Sequence, residues 1–173
     1  MPDVLRRFTR NATLVPIDVH VVDEQDDHPV DREQWAELVA AVLAAESVGG
    51  PGEANVLFVD EAAMSDLNRL HMGSAGPTDV LSFPIDSGDD LDDADERLVG
   101  DIVICPAVAA RNARGHAGTY PDELALLLVH GVLHLLGHDH AEAGERTRMQ
   151  ARERRLLAAH YGPLAGDPWK PEV

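Results

Sequence analysis

The chain has 173 residues, a length that one domain fills and at which folding buries about 70% of the unfolded surface without help from disulfides. Hydrophobic residues at 45% and charged residues at 26% exclude wholesale disorder and a fibrous chain. With 31 Asp and Glu against 14 Lys and Arg the formal charge is −17, which argues against a domain that coats nucleic acid by neutralising phosphates but not against a nuclease.

Lys170 is the only lysine, so contact with a polyanion must use a few local arginines or a metal ion. The stretch Met1 to Arg10 carries Arg6, Arg7 and Arg10 with no apolar run behind them. Neither a signal nor a membrane segment is expected there, and residues 1–14 read as an N-terminal extension of a cytoplasmic protein. The single cysteine, Cys105, agrees with a reducing compartment.

In chain order, Val15 to Val22 alternates as a strand does, and Asp31 is placed to cap a helix in which Trp35, Leu38, Val39, Val42 and Leu43 recur at helical spacing. Gly49 to Gly52 ends that helix. Ala54 to Val59 has strand composition, and Asp60 caps a second helix through Met64, Leu67 and His71 that Gly73 to Pro77 breaks. Two further strands follow, Asp79 to Phe83 and Leu98 to Ile104. Prolines confine the first of them, Pro77 to Pro84, which suits an edge strand whose polar Asp79 and Ser82 line a cleft. The joint 86–97 is acidic at seven of twelve positions and is expected to be a mobile surface loop, since its acids lack the ligand spacing of a calcium loop.

Cys105 and Pro106 open a third helix to about Ala113. From Pro121 to Leu136 apolar residues cover nearly every face, so this helix should be buried inside the domain. Gly137 stops it. A charged helix occupies Ala141 to His160, and residues 163–173, with Pro and Gly, read as a loose tail. Four strands and about five helices point to an α+β or α/β arrangement around one sheet; the expectation adopted is a single α+β domain over 15–162, a mixed sheet packed with helices, with a metal site on the buried helix and the glycine turn after it.

That site is the stretch His130-Gly131-Val132-Leu133-His134-Leu135-Leu136-Gly137-His138-Asp139-His140. Residues four apart share a helix face about 6 Å apart, so His130 and His134 can aim nitrogens at one ion about 2.0–2.1 Å away. Gly137 can take a left-handed conformation and return His140 to the same face. Three protein ligands leave one tetrahedral position for water, the arrangement of a catalytic zinc, whereas a structural zinc would need a fourth ligand such as Cys105 or His138. The spacing is shared with metzincin proteases, but their second position is a glutamate base and here it is Gly131, which weakens a metalloprotease reading. A phosphodiester needs less help from such a base, because the metal can activate water and neutralise phosphoryl charge. Asp139 is a candidate partner orienting a ligand or a base, and His138 a candidate phosphate contact or a surface residue.

His130 to His140 resembles the motif H-G-x-L-H-L-x-G-x-D-H of the YbeY family of bacterial metal-dependent endoribonucleases and ribosomal-RNA maturation factors. Pro77-Thr78-Asp79-Val80-Leu81-Ser82-Phe83-Pro84 is similar to a second signature of that family, and Gly100-Asp101-Ile102-Val103-Ile104-Cys105 to its strand before the next helix. With Leu67-Asn68 the likeness runs from about Val15 to Gly162. The resemblance implies an enzyme holding one zinc per chain on His130, His134 and His140. The implied activity is cleavage of single-stranded RNA in small-subunit (16S) ribosomal-RNA maturation and ribosome quality control, with ribosomal or assembly proteins as partners and no membrane. Family members commonly place a cleft arginine where this chain has Met72, and a tyrosine where it has His138. Arg69, one turn earlier on nearly the same face, is a candidate to replace the missing cation. The competing readings are the metalloprotease and a non-catalytic ribosome-assembly protein with a structural metal.

Overall fold

A computed structural model describes residues 15–86 and 96–171. The N-terminal extension, most of the acidic joint and the last two residues lie outside the described residues. Among the described residues are nine elements: β1 (Asp18–Asp23), α1 (Arg32–Ala45), β2 (Gly52–Phe58), α2 (Glu61–Met72), β3 (Val80–Pro84), β4 (Arg97–Ile104), α3 (Pro106–Ala113), α4 (Tyr120–Leu135) and α5 (Ala143–His160). They make the α+β domain that the sequence predicts. No helix among the described residues is long and apolar enough to cross a membrane.

Local chemistry starts the helices where the sequence places them. Asp31 accepts from Gln34 N–H and Asp60 from Ala63 N–H, each satisfying a donor that the first helical turn leaves unpaired. Thr119 does the same for Asp122 N–H at the start of α4.

The sheet runs β1-β2-β4-β3. The first three strands are parallel and β3 lies antiparallel on β4 at the edge, with Val56 beside Ile102 and Val80 beside Ile104. Because side chains alternate along a strand, the sheet has two packed faces. Val56, Phe58, Ile102 and Ile104 point into the main core with α1, α4 and α5. Leu57, Leu81 and Val103 point the other way, onto Met64 and Leu67 of α2 and Val108 of α3.

Helix α4 lies in the main core, with 12 of its 16 residues buried. At about 1.5–3 kcal/mol for each fully buried large aliphatic side chain, this element anchors the domain. Its close approach to the sheet has a cause in the sequence: a Cβ on Gly131 would lie 2.9 Å from Ile102 Cγ2 of β4, so only glycine lets the helix sit that deep.

The tail differs from the loose segment expected. Ala165 N–H donates to Asp122 Oδ2 (2.9 Å), Gly166 N–H to the Ala117 carbonyl (2.7 Å), and Leu164 and Trp169 pack on the core. Its prolines and glycines shape a turn-rich strap that long-range hydrogen bonds hold against the domain.

Candidate metal centre

Helix α4 presents His130 and His134 one turn apart at its C-terminal end, half-buried, with their Nε2 atoms 2.9 Å from each other. The helix then stops as its glycine dictates. Gly137, at φ 92°, donates its N–H to the His134 carbonyl (3.1 Å), and His138 N–H reaches the Leu133 carbonyl (3.0 Å). This paired closure is the Schellman ending that a glycine beyond the last turn permits. It reverses the chain so that His140, exposed on the turn, faces its two partners with ring centroids 5.5 and 5.1 Å away. One donor atom from each of the three lies within 4.8 Å of the others. Donors about 2.0–2.1 Å from one tetrahedral ion stand about 3.3 Å apart, so the set fits a single transition-metal ion with only side-chain adjustment.

The electrostatics suit that fit. Burial lowers the pKa of the His134 imidazole, and the neighbouring His130 and His140 push the same way, which keeps the ring in the neutral form that binds metal. On the other side of His130, Nδ1 sits 2.6 Å from Oε1 of Glu153, whose side chain is 6% exposed. A carboxylate only accepts, so the ring hydrogen belongs on Nδ1 and the Nε2 lone pair is left free. Sequence reasoning missed Glu153. It lies 23 positions from His130 on another helix, and no local spacing marks it among the acids of α5.

The three histidines floor a cleft of about 430 Å³ walled by Met72, Asp79, Ser82 and Pro84. Both polar residues read from the β3 segment are therefore beside the cluster. Asp79 Oδ1 accepts from Val80 N–H (2.8 Å), and Ser82 Oγ donates to the Gly131 carbonyl (3.3 Å), tying the edge strand to α4. Asp139 is exposed and accepts from His140 N–H (2.7 Å), so it braces the turn that carries His140, while the carboxylate on the His130 ring is Glu153.

His138 is half-buried in a neighbouring hollow that also takes in His134 and Arg97. Arg69 is not brought to the cleft; it is 74% exposed and pairs with Asp66 at 3.0 Å. Met72, in the position where the resemblance leads one to look for arginine, does line the cleft. Cys105 is buried at the start of α3, packed with Val59, Met64 and Val108. No room exists at residue 131 for a glutamate base, because Ile102 occupies the space its Cβ would need, and this counts against protease chemistry of the metzincin kind.

The sequence profile of the family described as Endoribonuclease YbeY matches residues 20–161. The chain is 43% identical over 150 residues to an Endoribonuclease YbeY of Frankia casuarinae, covering 83% of this chain and 75% of that protein. It is 45% identical to one of Thermobifida fusca, covering 75% and 86%, and 44% identical to one of Beutenbergia cavernae, covering 79% and 93%. The fold is similar to the solution structure of a Thermotoga maritima protein, with a TM-score of 0.57 at 26% identity over 83% of this chain and 89% of that one.

Proposed function

The chain belongs to the YbeY endoribonuclease family, and from that premise we propose that it is a zinc-dependent, single-strand-directed endoribonuclease acting in small-subunit (16S) ribosomal-RNA maturation and ribosome quality control in the cytoplasm. One observation carries the catalytic reading: three histidine nitrogens, all within 4.8 Å of one another, at the floor of an open cleft. His130, His134 and His140 would hold one ion, with zinc preferred on donor type and geometry. When bound, such an ion lowers the pKa of water toward about 7 and offsets charge on phosphoryl oxygens.

The chain's own residues do the rest. The carboxylate of Glu153 fixes which nitrogen of His130 is presented, and Asp139 holds the His140 turn in place. Asp79 offers an acceptor to a ribose hydroxyl or a base N–H, and the Ser82 hydroxyl, its hydrogen given to the Gly131 carbonyl, offers a second acceptor at the same wall. With a net charge of −17, the cleft suits a short stretch of single strand better than a duplex, whose binding depends on many phosphate contacts. Ribosomal or ribosome-assembly proteins would then deliver the RNA that the charge of the enzyme does not attract.

Elemental analysis of the purified protein, followed by cleavage of a single-stranded RNA before and after chelation and with His134→Ala, tests the reading. About one zinc per chain, with cleavage lost on chelation and in the variant, is the expected result. Stoichiometric metal without cleavage would favour a binding role in assembly, and a metal-free protein that cleaves RNA undiminished would sink the metal mechanism.

A further inference from the structure

We propose that Glu153 is a positioning residue for the metal centre and that the C-terminal strap, through Trp169, holds Glu153 in its working orientation. This rests on the metal reading given above and extends it to residues outside the histidine motif. A ligand imidazole must present one nitrogen and protonate the other, and a carboxylate hydrogen-bonded to the far nitrogen both selects that tautomer and strengthens the ligand. Glu153 is placed to do this, with Oε1 2.6 Å from His130 Nδ1.

The second oxygen of the same carboxylate is also spoken for. Trp169 Nε1–H donates to Glu153 Oε2 at 2.8 Å. A buried carboxylate whose two oxygens are held by two donors cannot rotate away from the ring without leaving one of those donors unpaired. The indole itself is fixed from two directions. The Arg154 guanidinium lies 4.9 Å from the centroid of its ring, and the strap leading to it is pinned at Ala165 to Asp122 and at Gly166 to Ala117. A continuous path of hydrogen bonds, Trp169 to Glu153 to His130, thus connects the end of the described chain to the ligand cluster.

The test measures Zn²⁺ affinity by competition with a chelating dye in the folded full chain, and the visible spectrum of the Co²⁺-loaded protein. Glu153→Ala is expected to weaken zinc binding about 10- to 100-fold, the usual effect of removing a carboxylate behind a metal-bound histidine, and to change the Co²⁺ spectrum. Trp169→Phe keeps an aromatic ring while deleting the donor and part of the indole's packing area, so it should weaken binding by a smaller factor, and it should have no further effect when Glu153 is already alanine. If Glu153→Ala fails to fold, Glu153→Gln, which conserves shape and removes the charge, is read in the same way. Folded Glu153 variants with wild-type affinity and an unchanged Co²⁺ spectrum would overturn the proposal. So would an equal loss from Trp169→Phe with and without Glu153, since the indole would then act by another route. Wild-type protein that takes up no metal, and does not differ from His134→Ala, would instead overturn the metal reading itself and this inference with it.

Discussion

Ile102 Cγ2 stands 2.9 Å from the point that a Cβ on Gly131 would occupy, and this single approach decides both how deep α4 lies and what residue 131 cannot be. Gly131→Ala is expected to cost about 1–3 kcal/mol as overpacking, read as a lowered thermal midpoint. The cost should fall toward zero in an Ile102→Ala background, because the side chain struck is then gone; a cost independent of residue 102 would show that the strain lies elsewhere. The three histidines and Gly137 were legible in the sequence because they fall within eleven residues and their geometry is local to one helix and its end. Glu153 was not, since its role exists only once α5 packs on α4. Arg69 was read onto the correct helix, but its guanidinium is answered by Asp66 within the same turn, and a side chain's choice between a neighbour and a cleft is not written in spacing.

At the scale of elements, the helices and strands follow their caps and periodicities to within a few residues, whereas the strap was misread from its composition. Its order comes from partners far along the chain: Asp122 receives Tyr161 O–H (2.7 Å) and Ala165 N–H (2.9 Å) from beyond α5. Burial opposes ionisation of Asp122, but hydrogen bonds from Ala165, Tyr161 and Thr119 outweigh it and hold its pKa below the ordinary carboxylate value. The sign follows from proton uptake. In acid the unfolded chain binds this proton more readily, so the stabilisation is present above about pH 4 and is lost as pH falls through the lower folded value. Thermal melts taken through that window should show wild type losing stability faster than Asp122→Asn, and parallel curves would contradict the assignment. The pair of His116 with Glu123 acts in the opposite sense. The hydrogen bond that the His116 ring donates to the Glu123 carboxylate raises the pKa of His116 against the effect of burial, so what it contributes is full below about pH 6.5 and fades as pH rises through the raised value.

For the whole molecule, a histidine-floored cleft set in a protein of net charge −17 leads us to expect RNA to be held over a short length by few contacts. Binding of a single-stranded oligonucleotide should therefore be weak and fall with salt. Met72→Arg, which puts a cation on the cleft wall, should tighten it and steepen the plot of log affinity against log salt by about 0.7, the increment for one added phosphate contact on a single strand. Fluorescence anisotropy across a salt series measures both quantities, and an unchanged slope would place residue 72 outside the path of the RNA. Strand and helix content was readable from pattern, but the order β1-β2-β4-β3 was not, because parallel pairing joins segments whose local sequences do not refer to one another. The placement of the three histidines on this frame is uneven. His130 and His134 belong to the buried helix, whereas His140 rides an exposed turn that its neighbour Asp139 braces from the surface. The cluster is therefore anchored by two unlike parts of the fold, two of its rings by the packing of the core and the third by a single hydrogen bond within an exposed turn.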